Sequence, residues 1–197
     1  MTKPTKRILI LLGHPDSPQP HLCHALANSY ARAAEAAGHE LRRIDLALLD
    51  IPLLRGQEQF EQGQPPQQIE QAQAAIRWAD HVVLVFPLWL GTMPALVKAF
   101  CEQVFRPGFA YAPAQQGFPQ KLLDGRSARL VVTMGMPAWL YRWVYCAHGL
   151  RGLGRNILGF VGFAPVRYSL FGMVATASDK RRQAWLREMA RLGAKAD

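Results

Sequence analysis

Three short stretches of the chain hold residue types from which a binding site can be built. The first, Gly13-His-Pro-Asp-Ser-Pro-Gln-Pro-His21, runs straight into an apolar stretch of helical spacing. Backbone amides at the start of a helix lack partners within it, so such a loop offers a site for an anion. His14 and Ser17 are placed to donate to a phosphate alongside the amides near His21. A plain turn with a helix cap would have the same composition. The second stretch, Phe86-Pro-Leu-Trp-Leu-Gly-Thr-Met-Pro94, sets a large aromatic, Trp89, at the end of an apolar run. Amides of Leu88 to Gly91 can hydrogen-bond the edge of a flat heterocycle while Trp89 and Leu90 cover it; the alternative is that Trp89 closes the core. The third, Thr133-Met-Gly-Met-Pro137, is a small turn able to pass close to a ligand.

Other chemistries lack their residues. The first loop is neither GxGxxG nor a Walker A sequence, which disfavours a dinucleotide phosphate held the Rossmann way and a P-loop NTPase. There is no GxSxG elbow, no HExxH and no cysteine with an evident histidine partner. Cys23 and His24 are adjacent, which on a helix turns their side chains about 100° apart. Cys101 and Cys146 are expected in the core, and His39 and His81 on the surface.

The three stretches need elements to position them. Arg7 to Gly13 is an apolar run of the kind found in a strand buried on both faces. Leu22, Leu26, Tyr30, Ala33 and Ala37 recur at helical spacing until Gly38. Glu40 to Leu46 reads as a second strand near a sheet edge, and Ile51 to Pro66 as a long surface loop. A helix from Gln67 to Ala79 leads into the strand Val82 to Pro87, and a helix opened by Pro94 runs to about Phe105. Ala128 to Thr133 and Pro165 to Leu170 complete five strands. Leu140 to Phe160 reads as helix broken at glycines, and Asp179 as the cap of a last helix with Trp185, Met189 and Leu192 on one face. Strands alternating with helices imply an α/β fold with a doubly wound parallel sheet, of strand order 2-1-3-4-5. Ligands in such sheets bind beyond the C-terminal strand ends at the switch point between the first and third strands, where the three loops would meet. No linker or repeat divides the chain, so residues 1–197 are expected to form one domain.

Composition narrows the class further. Half of the 197 residues are hydrophobic and 19% are charged, which excludes a disordered chain. Three cysteines without CxxC spacing suggest neither a disulfide framework nor a zinc site, and a reducing, cytoplasmic setting fits. The apolar run Ile8 to Leu12 is too short for a signal peptide. Val82 to Val97, interrupted by Pro87, Gly91 and Pro94, falls short of the ~20 apolar residues of a membrane helix. The net charge of +9 lies wholly in the second half, where residues 101–197 carry 14 Lys and Arg against 5 Asp and Glu. Such a bias favours nucleic acid, an anionic membrane surface or a phosphorylated cofactor. Nucleic acid ranks last, because Lys180, Arg181, Arg182, Arg187 and Arg191 have no aromatics interleaved on the polar face.

The run Ile8 to Pro15, the run Phe86 to Lys98 and the run Val104-Phe-Arg-Pro-Gly-Phe-Ala-Tyr111 together resemble the flavodoxin-like NAD(P)H:quinone oxidoreductases. That group includes DT-diaphorase-like enzymes and the ancillary reductases of potassium efflux systems. The resemblance covers about residues 7–170. It implies a flavodoxin-like sheet, a homodimer, a bound flavin and hydride transfer from NAD(P)H to a quinone or similar small-molecule acceptor. By position, His14 and the segment Ser17, Gln19, His21 and Leu22 match the phosphate loop. Pro87, Leu88, Trp89, Leu90 and Gly91 match the segment along the flavin ring, and Thr133, Met134 and Gly135 the other side of it. Met134 and Met136 depart from the usual Thr-Thr-Gly-Gly, and Gln19-Pro-His21 from the usual Ser-Phe-Asn. Tyr111, with Trp89, matches the acceptor pocket; Tyr141 and His148 resemble a catalytic Tyr and His near the flavin, with a spacing off by one residue. FMN is expected rather than FAD, because the connection Leu53 to Pro66 has Phe60 as its only aromatic to meet an adenine. Trp139, Tyr141, Trp143 and Tyr145 supply an aromatic surface for the homodimer, unless all four fold into one core. Other readings on the same fold are an azo or nitro reductase, or a flavin-binding regulatory subunit attached to a membrane transport system.

Overall fold

The computed structural model describes residues 4–16, 19–112, 114 and 117–197. The main sheet holds β1 (Arg7–Leu12), β2 (Glu40–Asp45), β3 (His81–Pro87), β4 (Ser127–Met134) and β5 (Val166–Gly172), all parallel, in the order β2-β1-β3-β4-β5. This is the expected doubly wound order, so β1 and β3 flank the switch point. Four main helices, α1 (Leu22–Ala36), α2 (Gln67–Trp78), α3 (Ala95–Val104) and α4 (Asp179–Gly193), cover the sheet.

Strand alternation explains the two cores. Ile8, Ile10 and Leu12 of β1 point to one face, where they pack with Leu26 and Tyr30 of α1 and Trp185 and Met189 of α4. Leu9 and Leu11 point to the other, with Ile69 and Ile76 of α2 and Val97 and Phe100 of α3. Every one of these side chains is buried, each contributing on the order of 1.5–3 kcal/mol. Both faces being covered is why β1 and β3 are continuous apolar runs. The edge strand β2 is half exposed, as its alternation predicts.

Several local readings need correction. Pro165 precedes β5, Leu46 begins a short 3-10 turn after β2, and Ser178 rather than Asp179 caps α4, its hydroxyl accepting from Arg181 N. The stretch Ile51 to Pro66 contains a helical turn, Gln57–Glu61. Buried Arg106 anchors it by donating to the carbonyls of Gln59 (2.9 Å) and Gly63 (2.7 Å). His39 and His81 are buried, not on the surface. His39 Nδ1 accepts from Lys6 N at 3.1 Å, and His81 Nδ1 pairs with Ser127 Oγ at 2.8 Å. A short polar partner lets an imidazole sit inside a sheet. Cys146 is half-buried rather than core, with φ at +53°.

The region Leu140 to Phe160 is wound differently from the sequence expectation. Leu140–Val144 and Gly152–Leu158 are wide π-type turns, and the break falls at Cys146 and Ala147, both left-handed, instead of at a glycine. The glycines serve close approach. A Cβ on Gly154 would stand 2.0 Å from the Tyr168 hydroxyl, and one on Gly149 would stand 2.4 Å from the Gly91 carbonyl oxygen.

Candidate functional site

Hydrogen bonds tie the three loops together at the C-terminal end of the sheet. Gly13 N donates to Val85 O at 2.7 Å, which holds the first loop against β3. Any side chain here would collide, since a Cβ on Gly13 would lie 2.6 Å from Val97 Cγ2. Leu88 N donates to Thr133 O at 2.7 Å and joins the second loop to the third. Below them the Cys23 thiol and the Thr133 hydroxyl lie 3.2 Å apart, linking the first turn of α1 to the end of β4. Burial pushes the Cys23 thiol up to about 11, so it stays protonated and acts as packing, not as a nucleophile.

The first loop gathers three imidazoles. His14 and His21 stack with ring centroids 3.7 Å apart, and His24 lies 5.8 Å from each. His21 is N-cap of α1 and His24 is its third residue, so a helical turn sets them on one side while the loop returns His14 to them. His14 Nδ1 accepts from Asp16 N at 3.1 Å, His21 Nε2 meets Asp16 Oδ2 at 2.8 Å, and His24 Nδ1 accepts from His21 N at 3.3 Å. Burial first, and the neighbouring His21 second, hold the His14 imidazole below its ordinary pKa. His24 Nε2 is buried and has no partner among the described residues. Nor do the amides of Leu22 and Cys23 have a backbone partner among them. Unpaired donors at a helix start, beside imidazoles, suit a phosphate. Gln19 is exposed and Leu22 half-buried; Ser17 lies outside the described residues. No group of His, Cys, Asp or Glu among the described residues is arranged to hold a metal ion.

The second loop is a tight turn. Trp89 N donates to Thr92 O (2.9 Å) and Thr92 N to Trp89 O (3.0 Å), with positive φ at Leu90 (+48°) and Gly91 (+78°). Leu is strained in that conformation. Leu90 is fully exposed and Trp89 is 48% exposed, so Trp89 does not close the core. Its indole stands edge-on to His14, 6.5 Å between centroids. The expectation that all amides from Leu88 to Gly91 face a ligand is corrected: those of Leu88 and Trp89 are already spent on Thr133 and Thr92. Leu90 and Gly91 keep theirs among the described residues. Pro87 is buried at the end of β3, level with Thr133 across the ladder. On the third loop the Met134 side chain is core, while Gly135 is exposed.

Tyr141 and His148 lie over the second loop. Tyr141 is buried, and its hydroxyl donates to Gly91 O at 2.9 Å. Burial raises its pKa, so the hydroxyl stays protonated and holds the turn in place. His148 is exposed, next to the Gly149 that packs on Gly91 and Thr92. Tyr111 stands apart from these contacts. It begins a two-residue strand paired antiparallel with Gln120–Lys121 and packs edge-on against Phe160, 5.2 Å between centroids. There it lines a groove of about 180 Å³ with Phe60, Lys98 and Cys101.

Sequence reasoning missed His24 and Asp16 as members of the first-loop cluster. The i, i+3 spacing of His21 and His24 was the available signal, and the return of His14 onto them was not encoded in any local spacing.

Residues 6–192 match the family defined by a flavodoxin-like fold. The chain belongs to this flavodoxin-like family. An uncharacterized NAD(P)H oxidoreductase of Haemophilus influenzae is 27% identical to it over 182 residues, covering 90% of this flavodoxin-like chain and 89% of that protein. An FMN-dependent NADH:quinone oxidoreductase of Pseudomonas aeruginosa is 31% identical over 96 residues, 47% of this chain and only 41% of that one. Among solved structures, an NAD(P)H:quinone oxidoreductase from Methanothermobacter marburgensis superposes with a TM-score of 0.80 at 22% identity, covering 98% of this chain and 100% of that one, a likeness of flavodoxin-like fold.

Proposed function

We propose that the protein is a flavin-dependent NAD(P)H oxidoreductase that passes hydride from NAD(P)H through FMN to a quinone or similar small acceptor. The observation that carries this reading is the joined loop cluster. An anion site of free amides and three imidazoles lies beside an exposed, strained Trp89-Leu90 turn. The residues present fit a flavin. Its ring supplies the hydride chemistry when bound, and the protein has to orient the ring, hold its phosphate and keep water out.

In this reading the first turn of α1 with His14, His21 and His24 holds the phosphate. The amides of Leu90 and Gly91 meet the ring edge, Trp89 covers it, and Thr133 to Gly135 line its other side. Tyr141 is a positioning residue acting through Gly91, and His148 faces the incoming substrate. FMN is favoured over FAD because Phe60, the aromatic that could have met an adenine, is committed to the groove beside Tyr111. The FMN dependence of the Pseudomonas aeruginosa relative agrees. The basic second half of the chain favours approach of the polyanionic NAD(P)H.

The acceptor pocket is completed by a second copy. Tyr111 packs edge-on against Phe160, and the two flank an apolar groove that a twofold partner covers in this reading. The chain works as one flavodoxin-like unit in the cytoplasm, where its three unpaired cysteines stay reduced.

Heat-released cofactor analysed by mass spectrometry tests the reading, together with NAD(P)H oxidation in the presence of a soluble quinone or an azo dye. FMN and quinone turnover are expected. FAD would correct the cofactor alone, preferential turnover of the dye would shift the acceptor, and a protein that retains no flavin would overturn the proposal.

A further inference from the structure

We propose that the face built by Trp139 to Arg151 and the outer edge of β5 docks on an anionic lipid bilayer. Between Asp124 and Asp179 the sequence contains six arginines and no Asp or Glu. The fold brings part of this stretch to one surface. Trp139, Arg142, Trp143, Arg151, Arg167 and Tyr168 line an open groove of about 780 Å³ between the π-wound segment and β5. Trp139 and Trp143 are 63% and 70% exposed, and Val144 and Tyr145 beside them are more than half exposed. The Arg142 guanidinium sits over the Trp143 ring at 5.4 Å.

This pairing of residue types selects the occupant. Exposed aromatics with a polar edge settle at the level of lipid headgroups, and arginines draw them to anionic lipid. Asp197 neutralises Arg129 and Arg167 at the back of the groove, at 3.3 and 2.8 Å. Arg142 and Arg151 have no carboxylate partner among the described residues. A second copy of the same face is a poor occupant, because a twofold contact would set arginines against arginines with no acid in the segment to pair them. The dimer groove proposed above, beside Tyr111 and Phe160, is lined by other residues. Tyr141, inside the segment, is bonded to Gly91 of the second loop, so a docked face would hold that loop near the bilayer. Delivery of a lipid-soluble acceptor there rests on the proposed function; the docking itself does not.

Sedimentation of the full-length protein with vesicles tests it. The vesicles are phosphatidylcholine alone, or phosphatidylcholine and phosphatidylglycerol in equal parts. The protein should pellet with the anionic vesicles and be released by high salt. Arg142→Gln with Arg151→Gln should weaken partitioning about thirtyfold. Trp139→Ser with Trp143→Ser should weaken it as well. Flavin content and oligomer mass, measured in parallel, should match the parent in both variants. Equal pelleting with the two vesicle types, or none with either, overturns the proposal. So does loss of the oligomer in the tryptophan variant, which would make this face a seam between copies. A protein without flavin that still binds anionic vesicles would overturn the proposed function while leaving the docking intact.

Discussion

Trp89 and Leu90 hold apolar surface in water on a turn whose backbone is strained at Leu90. The indole stands edge-on to His14, so in the proposed site the ring contact and the phosphate contact would fall on neighbouring side chains. Trp89→Ala is expected to weaken flavin binding about tenfold, since it removes the aromatic contact and leaves the turn's two internal bonds intact. Equilibrium dialysis against free flavin measures it, and an unchanged affinity would remove Trp89 from the site. At the same scale, His14 and Cys23 illustrate how burial assigns roles. The imidazole is held neutral more readily than usual, and the thiol is pushed up to about 11, which leaves neither as an acid or nucleophile at neutral pH.

Among the elements, the helical turn His148–Arg151, between the two π-wound stretches, acts as a brace over the second loop. Gly149 packs on backbone atoms, with a Cβ there lying 2.4 Å from Gly91 O and 2.8 Å from Thr92 Cα. Neither atom can move without shifting the turn. Gly149→Ala should therefore weaken flavin binding and cost about 1–3 kcal/mol of stability, read from flavin titration and urea unfolding side by side. An affinity unchanged in a destabilised variant would separate the brace from the loop. Within the sheet, burial first, then the nearby Lys6 and Arg129, lower the His81 pKa to about 3. The unfolded chain binds a proton near pH 6.5 and the folded chain does not until about pH 3. His81's contribution is complete above about pH 6.5 and declines as pH falls, by up to about 1.4 kcal/mol per unit, until the folded state also takes the proton. His81→Gln should flatten the acid limb of a stability–pH profile measured by denaturant unfolding. A parallel limb would assign the acid sensitivity to other groups.

For the whole molecule, a homodimer joined beside Tyr111 and Phe160 predicts a particle of about 44 kDa, twice 22.0 kDa, by light scattering. Phe160 is 41% exposed, so Phe160→Glu should fold and shift the particle to the mass of a single chain. A monomeric parent protein would refute the dimer. Among the described residues no helix is long and apolar enough to cross a membrane, and contact with a bilayer through the Trp139–Arg151 face is of the peripheral kind.

The periodicity of this sequence determined which faces of which segments are buried. Continuous apolar β1 and β3 require cover on both sides, which dictates helices on both faces of a parallel sheet and places the three loops at its C-terminal end. These properties are local, because a residue's burial repeats with the period of its own strand or helix. The tertiary structure alone decided which atoms stay available to a ligand. The amides of Leu88 and Trp89, the Tyr141 hydroxyl and the imidazoles of His39 and His81 all carry the right chemistry, and each is already bonded within the fold. His14 meets His21 and His24 because the loop folds back onto α1, and Tyr111 packs against Phe160. The bonds of Leu88 to Thr133, Tyr141 to Gly91 and His81 to Ser127 join segments tens of residues apart and depend on how whole elements pack, so no spacing along the chain records them.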